Sequence, residues 1–192
     1  MSERRTQVIG ATLDVIADGG SRGLTHRAVD RRAGVPLGTT GNWFRTRNAL
    51  VAAAVDELER RDLEAGRTLF EAGAPHDRAG LVRLVRAFLE GHLSGEGAVR
   101  ARARYALMLE RPDLVAPAHE RLLATFAGLA GSIGVAVEPS AARRAADLVD
   151  GAILHRVTIR ADAGDDELDA LADAIVALLL GSPDDAPSAS GR

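Results

Sequence analysis

Residues 25 to 47 hold a concentration of side chains suited to a polyanion whose edges carry hydrogen-bonding groups. The guanidinium fork of Arg27 matches the O6 and N7 pair of guanine, and it serves equally as a phosphate contact. Thr39 and Thr40 are short hydroxyls for phosphate or for a thymine methyl, and Asn42 satisfies adenine in bidentate fashion if it points into a groove. Leu37 and Gly38 supply apolar contact and close backbone approach. Trp43 has two readings, packing mass for a small unit or an indole N–H that reaches phosphate from its edge. Arg47 stands in the first turn of a long helix, where the dipole attracts the same phosphate as its charge.

These residues need a scaffold that presents them together. The run from Thr25 to Phe44 reads as two short helices joined by a tight turn, the geometry that fits one helix into a DNA major groove. Thr25 caps the first helix on this DNA-facing side, Ala28, Val29 and Ala33 form its inward stripe, and Gly34 tolerates the positive φ of an abrupt exit. Trp43 and Phe44 are expected to anchor the unit. Before it, Ile9, Leu13, Ile16 and Ala17 recur at helical spacing until Gly19 and Gly20 stop them. After it, Thr46 caps a helix whose stripe runs from Leu50 to about Phe70 and docks the three-helix head. Further helices are expected at about 77 to 93, 96 to 110, 113 to 133, 140 to 160 and 165 to 180, with Ser140 and Asp165 as N-caps. The expectation is an all-α chain of about nine helices: a helix-turn-helix domain over 1–48, a helical body over 49–180, and a disordered tail rich in Ser, Pro and Asp over 181–192.

Charge follows the same division. The 192 residues carry a net charge of −3, but residues 1–50 hold eight Arg against four acids, a +4 head on a −7 body. All 24 basic residues are Arg; with no Lys there is no Walker-type phosphate loop and no Schiff-base lysine, and with no Cys there is no thiol nucleophile or thiolate metal site. The five His form no metal pair, no Gly-x-Ser-x-Gly elbow is present, and the Gly128, Gly131, Gly134 series follows a helix rather than a strand. No enzyme, cofactor or metal site is therefore expected. No apolar run reaches membrane-spanning length, and Asp14 and Asp18 interrupt any signal-peptide core, which points to a cytoplasmic protein with no membrane partner.

Gly23-Leu24-Thr25, Ala33-Gly34-Val35, Gly38-Thr39 and Phe44 followed by Ala49-Leu50 stand at spacings that resemble the TetR family of one-component transcriptional regulators. The resemblance is sharp over about residues 5 to 55 and lies beyond that in helix number and order. It implies a homodimer, a helical body that binds an inducer, and Arg27, Leu37, Gly38, Thr39, Gly41, Asn42, Trp43 and Arg47 at DNA-facing positions. Three residues depart from the family pattern. Gly41 stands where a phosphate-touching Tyr is usual. Asp30 replaces a small residue and is expected to lean outward or pair with an Arg. Pro36 replaces a Ser, leaving the second short helix without a hydroxyl cap, so that it is expected to firm up on DNA.

A head this small needs a second copy for specificity, hence a two-fold operator on double-stranded DNA. The apolar face of the last two helices, with Leu148, Gly151, Ala152, Ile159, Leu168, Leu171, Ile175 and Leu178, is the expected dimer interface, against the alternative that it is internal core. Phe88, His92, Tyr105, Met108, Phe126 and His155 lie on several body helices and are candidates to line one cavity for a small effector, each with core packing as its alternative. The function expected is a ligand-responsive regulator, in the family's usual mode a repressor. The rival reading is a helical small-molecule-binding or adaptor protein without sequence-specific DNA binding.

Overall fold

Thr25 and Thr46 sit in extended backbone, and each Oγ1 accepts a hydrogen bond, from the N–H of Ala28 and of Ala49 respectively, both 3.1 Å. A hydroxyl there satisfies a donor that the helix itself leaves orphaned. Asp77 does the same for the N–H of Gly80 at 2.7 Å. The computed structural model describes residues 3–131, 133–161 and 164–180; side chains at 122, 126, 127, 129, 130 and 165 also lie outside the description, as does the expected tail at 181–192. Among the described residues the chain is all-α: α1 (Glu3–Gly19), a 3-10 turn (Ser21–Gly23), α2 (His26–Ala33), α3 (Thr39–Trp43), α4 (Arg47–Ala72), α5 (Arg78–Leu93), α6 (Gly95–Glu110), α7 (Pro112–Gly131), α8 (Pro139–Thr158) and α9 (Asp165–Leu180).

The helix starts at the C-terminal end differ from expectation. Ser140 is not a cap: Pro139 opens α8, its fixed φ and missing N–H being harmless at a first helical position. Asp165 is the first residue of α9 rather than the residue before it.

Two apolar clusters organise the helices. The first gathers Val8, Leu13 and Ile16 of α1, Val29 of α2, Phe44, and Leu50, Val51 and Ala54 of α4. It also takes in Ala103 and Leu107 of α6 and Val115 of α7, so the head docks on α6 as well as on α4. The second joins Leu81, Val85 and Leu89 of α5 to Tyr105 of α6, Val149 and Ile153 of α8, and Leu168, Ile175 and Val176 of α9. Met108 packs against both clusters, and α6 is therefore the shared beam between head and body.

The start of that beam depends on one glycine. A Cβ on Gly97 would lie 1.7 Å from the carbonyl oxygen of Gly91, so α5 and α6 cross at a distance only a hydrogen side chain permits.

Candidate nucleic-acid interface and ligand cavity

Gly34 leaves α2 in the left-handed region, φ 64°, as the turn requires. Gly38 follows at φ 93° and starts α3, and its backbone carries the decisive arrangement. Asp30, 1% exposed, turns inward: its Oδ2 accepts the N–H of Gly38 at 2.7 Å, and its Oδ1 accepts the N–H of Thr40 at 2.8 Å and the Thr40 hydroxyl at 2.6 Å. The expected outward or Arg-paired Asp30 is thus corrected. Its carboxylate is the N-cap that Pro36 and Gly38 cannot provide, supplied from the neighbouring helix, so α3 is held by the protein itself. Burial pushes the Asp30 carboxyl up, but the hydrogen bonds from Thr40 and Gly38, with nearby His26, outweigh it and hold it below the ordinary range.

The same bonds correct one further expectation. Thr40 is fully buried with its hydroxyl given to Asp30, so it braces the turn and does not face a groove. Arg47 donates from Nη2 to the carbonyl and the hydroxyl of Ser21, tying the start of α4 to the 3-10 turn, while the residue stays exposed with its other guanidinium nitrogens turned to no such bond. Anchoring falls to Phe44, buried under Arg5, while Trp43 is 45% exposed. His26 Nε2 lies 2.6 Å from the Phe44 carbonyl, which only accepts, so that nitrogen carries the proton. Gln7 donates to the Ala33 carbonyl at 2.8 Å.

What remains outward is Arg27, Leu37 at 63% exposure, Asn42 and Trp43, with Arg31 and Arg45 around them. Asn42, two positions from inward-facing Thr40, lies about 160° around the helix from it. Thr39 is half-buried and gives its hydroxyl to the Pro36 carbonyl at 2.6 Å; Gly41 is half-buried and Thr25 is exposed at its cap. Arg27 makes no ion pair among the described residues.

A cavity of about 320 Å³ lies between α4, α5, α6, α7 and α8. Leu58, Leu63 and Phe70 of α4, Leu84 and Phe88 of α5 and Val115 of α7 give it apolar walls; Asp62, Arg104, His119 and Asp150 are among its polar lining. Of the residues expected there whose side chains are described, Phe88 alone is found on the wall. His92 is buried behind it, its ring 4.2 Å from that of Phe88 and its Nδ1 2.8 Å from the Phe88 carbonyl. Tyr105 lies behind Asp150, donating its hydroxyl to the Asp150 carbonyl and Oδ1, both 3.1 Å. Burial, with Asp150 beside it, pushes the Tyr105 phenol well up, so it remains a donor. Met108 fills the seam between the two cores. His155, five positions after Asp150 and so about 140° around α8, is exposed to solvent. The Phe126 side chain lies outside the described residues.

Burial acts to raise the Asp62 carboxyl, but attraction to His92 and to the Arg104 guanidinium outweighs it and holds Asp62 below the ordinary range. Sequence reasoning passed over Asp62 and saw Arg104 only as one of three alternating arginines on its helix, with Arg100 and Arg102, because ion-pair partners so far apart in the chain leave no spacing signal.

The expected dimer face also needs correction. Leu168 and Ile175 are 4% and 1% exposed, packed into the chain's own second core. Leu148, Leu171 and Leu178 lean on that core and are partly covered, and Gly151 and Ala152 are half-buried. Ile159 is 76% exposed, and Leu154, absent from the expected set, is 38% exposed.

No protein-family model matches the chain. It is similar to the HTH-type transcriptional repressor KstR of Mycolicibacterium smegmatis, 34% identical over 102 residues, 52% of this chain and half the length of that protein. Among solved structures, a member of the TetR family from Streptomyces coelicolor matches with a TM-score of 0.67 at 24% identity, over 90% of this chain and 98% of its own. The fold is that of the TetR-family transcriptional regulators. The multidrug binding protein EbrR, solved in complex with ethidium, shares it with a TM-score of 0.60 and 26% identity over 91% of this chain and 98% of EbrR. The proteins similar to this TetR-like chain are transcriptional regulators rather than enzymes. Among the described residues no helix is long and apolar enough to cross a membrane, and no cluster of His, Asp and Glu could hold a metal ion.

Proposed function

We propose that the protein is a ligand-responsive transcriptional regulator, working as a repressor: a homodimer that binds a two-fold operator and is released when a small molecule enters the cavity. Residues 1–48 serve as the reading head and 49–180 as the sensing and dimerising body, acting on DNA in the cytoplasm. The observation that carries this reading is the course of α4. Its first turn is bonded to the head through Arg47, and its later turns form a wall of the cavity, so one rigid element touches both sites. An occupant that favours one position of α4 over another changes head spacing, and only such differential binding alters DNA affinity. The names of KstR and EbrR support repression and small-molecule binding respectively, each for that protein.

Arg27 reads a base edge, with Leu37, Asn42 and Trp43 around it, and Arg31 and Arg45 supply attraction to phosphate. Selection of bound duplexes from a random pool, followed by titration at two salt concentrations, tests this. The expected result is a symmetric site with a steep salt slope. Binding without sequence preference, or no binding, would overturn it in favour of the adaptor reading.

A further inference from the structure

The carboxylates of the cavity wall differ in their partners. Asp62 is paired with Arg104, and Glu59 with Arg121, which reaches both of its oxygens. Arg67, another guanidinium of the lining, leans toward Glu71 at 3.7 Å. Asp150 is the lining carboxylate that pairs with no guanidinium among the described residues. Its Oδ1 accepts the Tyr105 hydroxyl at 3.1 Å, a neutral donor, since burial keeps that phenol protonated. No described residue donates to Oδ2. His119 holds Nδ1 3.8 Å from it, beyond hydrogen-bond reach whichever charge the imidazole carries. The Asp150 side chain keeps 27% of its surface accessible and stands in the lining, so its carboxylate is open to whatever enters.

An apolar body filling the cavity takes that carboxylate out of water. A carboxylate enclosed without a counter-charge is expensive, and Tyr105 lends it a dipole but no charge. Asp62 and Glu59 already have their cations, so the cost falls at one point of the wall. An anionic occupant would deepen it. A cationic one removes it, bringing charge and N–H donors together.

We propose that the effector is a mostly apolar molecule carrying one cationic nitrogen, an ammonium or amidinium, that settles on Asp150 while its body lies along Leu58, Leu84 and Phe88. This rests on the cavity being the effector site. The walls accept whatever apolar length fills them, and Asp150 selects for the charge at its end.

Calorimetry on the full chain with three probes of one chain length tests this: octylammonium, octan-1-ol and octanoate. Octylammonium is expected to bind about tenfold more tightly than the alcohol, and octanoate more weakly than both. Asp150→Asn keeps an oxygen for Tyr105 and removes the charge. With the helical signal unchanged, it is expected to erase the preference for ammonium while alcohol binding persists. Asp147→Asn, the same charge loss at an exposed position on α8, is expected to leave the preference intact. His119→Gln, which frees Asp150 from any imidazole charge, is expected to hold or raise it. Equal binding of ammonium and alcohol, tighter binding of octanoate, a preference that survives Asp150→Asn, or one lost in Asp147→Asn or His119→Gln overturns the cationic head group and leaves the cavity as the site. Ala118→Trp, from a half-buried position on α7, fills the cavity and is expected to abolish binding of every probe. Binding that survives it places the site elsewhere and removes the cavity from the proposed function as well. Failure of all three probes to bind overturns the apolar cation, and release of operator by other small molecules would then show whether effector control survives.

Discussion

Asp30 shows how much one carboxylate decides in a head of this size. Three donors converge on it, and none has another partner of equal quality within the turn, so Asp30→Ala strands two backbone N–H groups and a buried hydroxyl. A loss of about 2 kcal/mol in urea denaturation is expected, with operator affinity falling further because α3 frays. Unchanged operator affinity would show that α3 is ordered by other contacts. The cap was illegible in the sequence because Asp30 reaches across a turn to a different helix, whereas cap patterns are local; Thr25 and Thr46, which are local, were readable. Glu57 is the acid counterpart. Arg60 above all, with Arg61, holds its carboxyl down to about 2 against the upward push of burial. A carboxyl depressed on folding stabilises above its unfolded value and loses that contribution as pH falls through the folded one. Thermal stability is therefore expected to drop between about pH 4.5 and 2, and Glu57→Gln to flatten that part of the profile.

At the scale of helices, the Gly91–Gly97 crossing sets where α6 begins and hence where Arg104 meets Asp62 and where Leu107 meets the head. Gly97→Ala drives a methyl into a backbone oxygen that cannot rotate aside, and is expected to cost at least about 2 kcal/mol by chemical denaturation; Gly66→Ala, with open space around it on α4, is the control expected to stabilise slightly. Helix order and most boundaries were legible because apolar periodicity and Gly or Pro stops are properties of contiguous residues. Cavity walls were not. Leu63 and Phe70 read as part of a connecting stripe on α4, and only the distance kept between α4 and α7 turns them into lining. Histidines and aromatics drew attention for their chemistry, yet His155 points to solvent and His92 lies behind the wall.

For the whole molecule, apolar pattern alone cannot say whether a helix face meets its own chain or a second copy. Ile175 and Leu168 pack into the second core with α5, so replacing them is expected to unfold the body. Leu154 and Ile159 test the dimer cleanly: Leu154→Glu with Ile159→Glu is expected to give a folded monomer by sedimentation, with unchanged helical signal and weakened operator binding. A dimer that persists would put the interface on another face. The shared α6 has a last consequence. Ala103 and Leu107 finish the underside of the head, and Glu110 accepts from the N–H of Ser21, so a fragment ending after α4 would lack its floor. Scanning calorimetry of the intact chain should then record one melting peak, and the excised reading unit should remain unstructured in isolation.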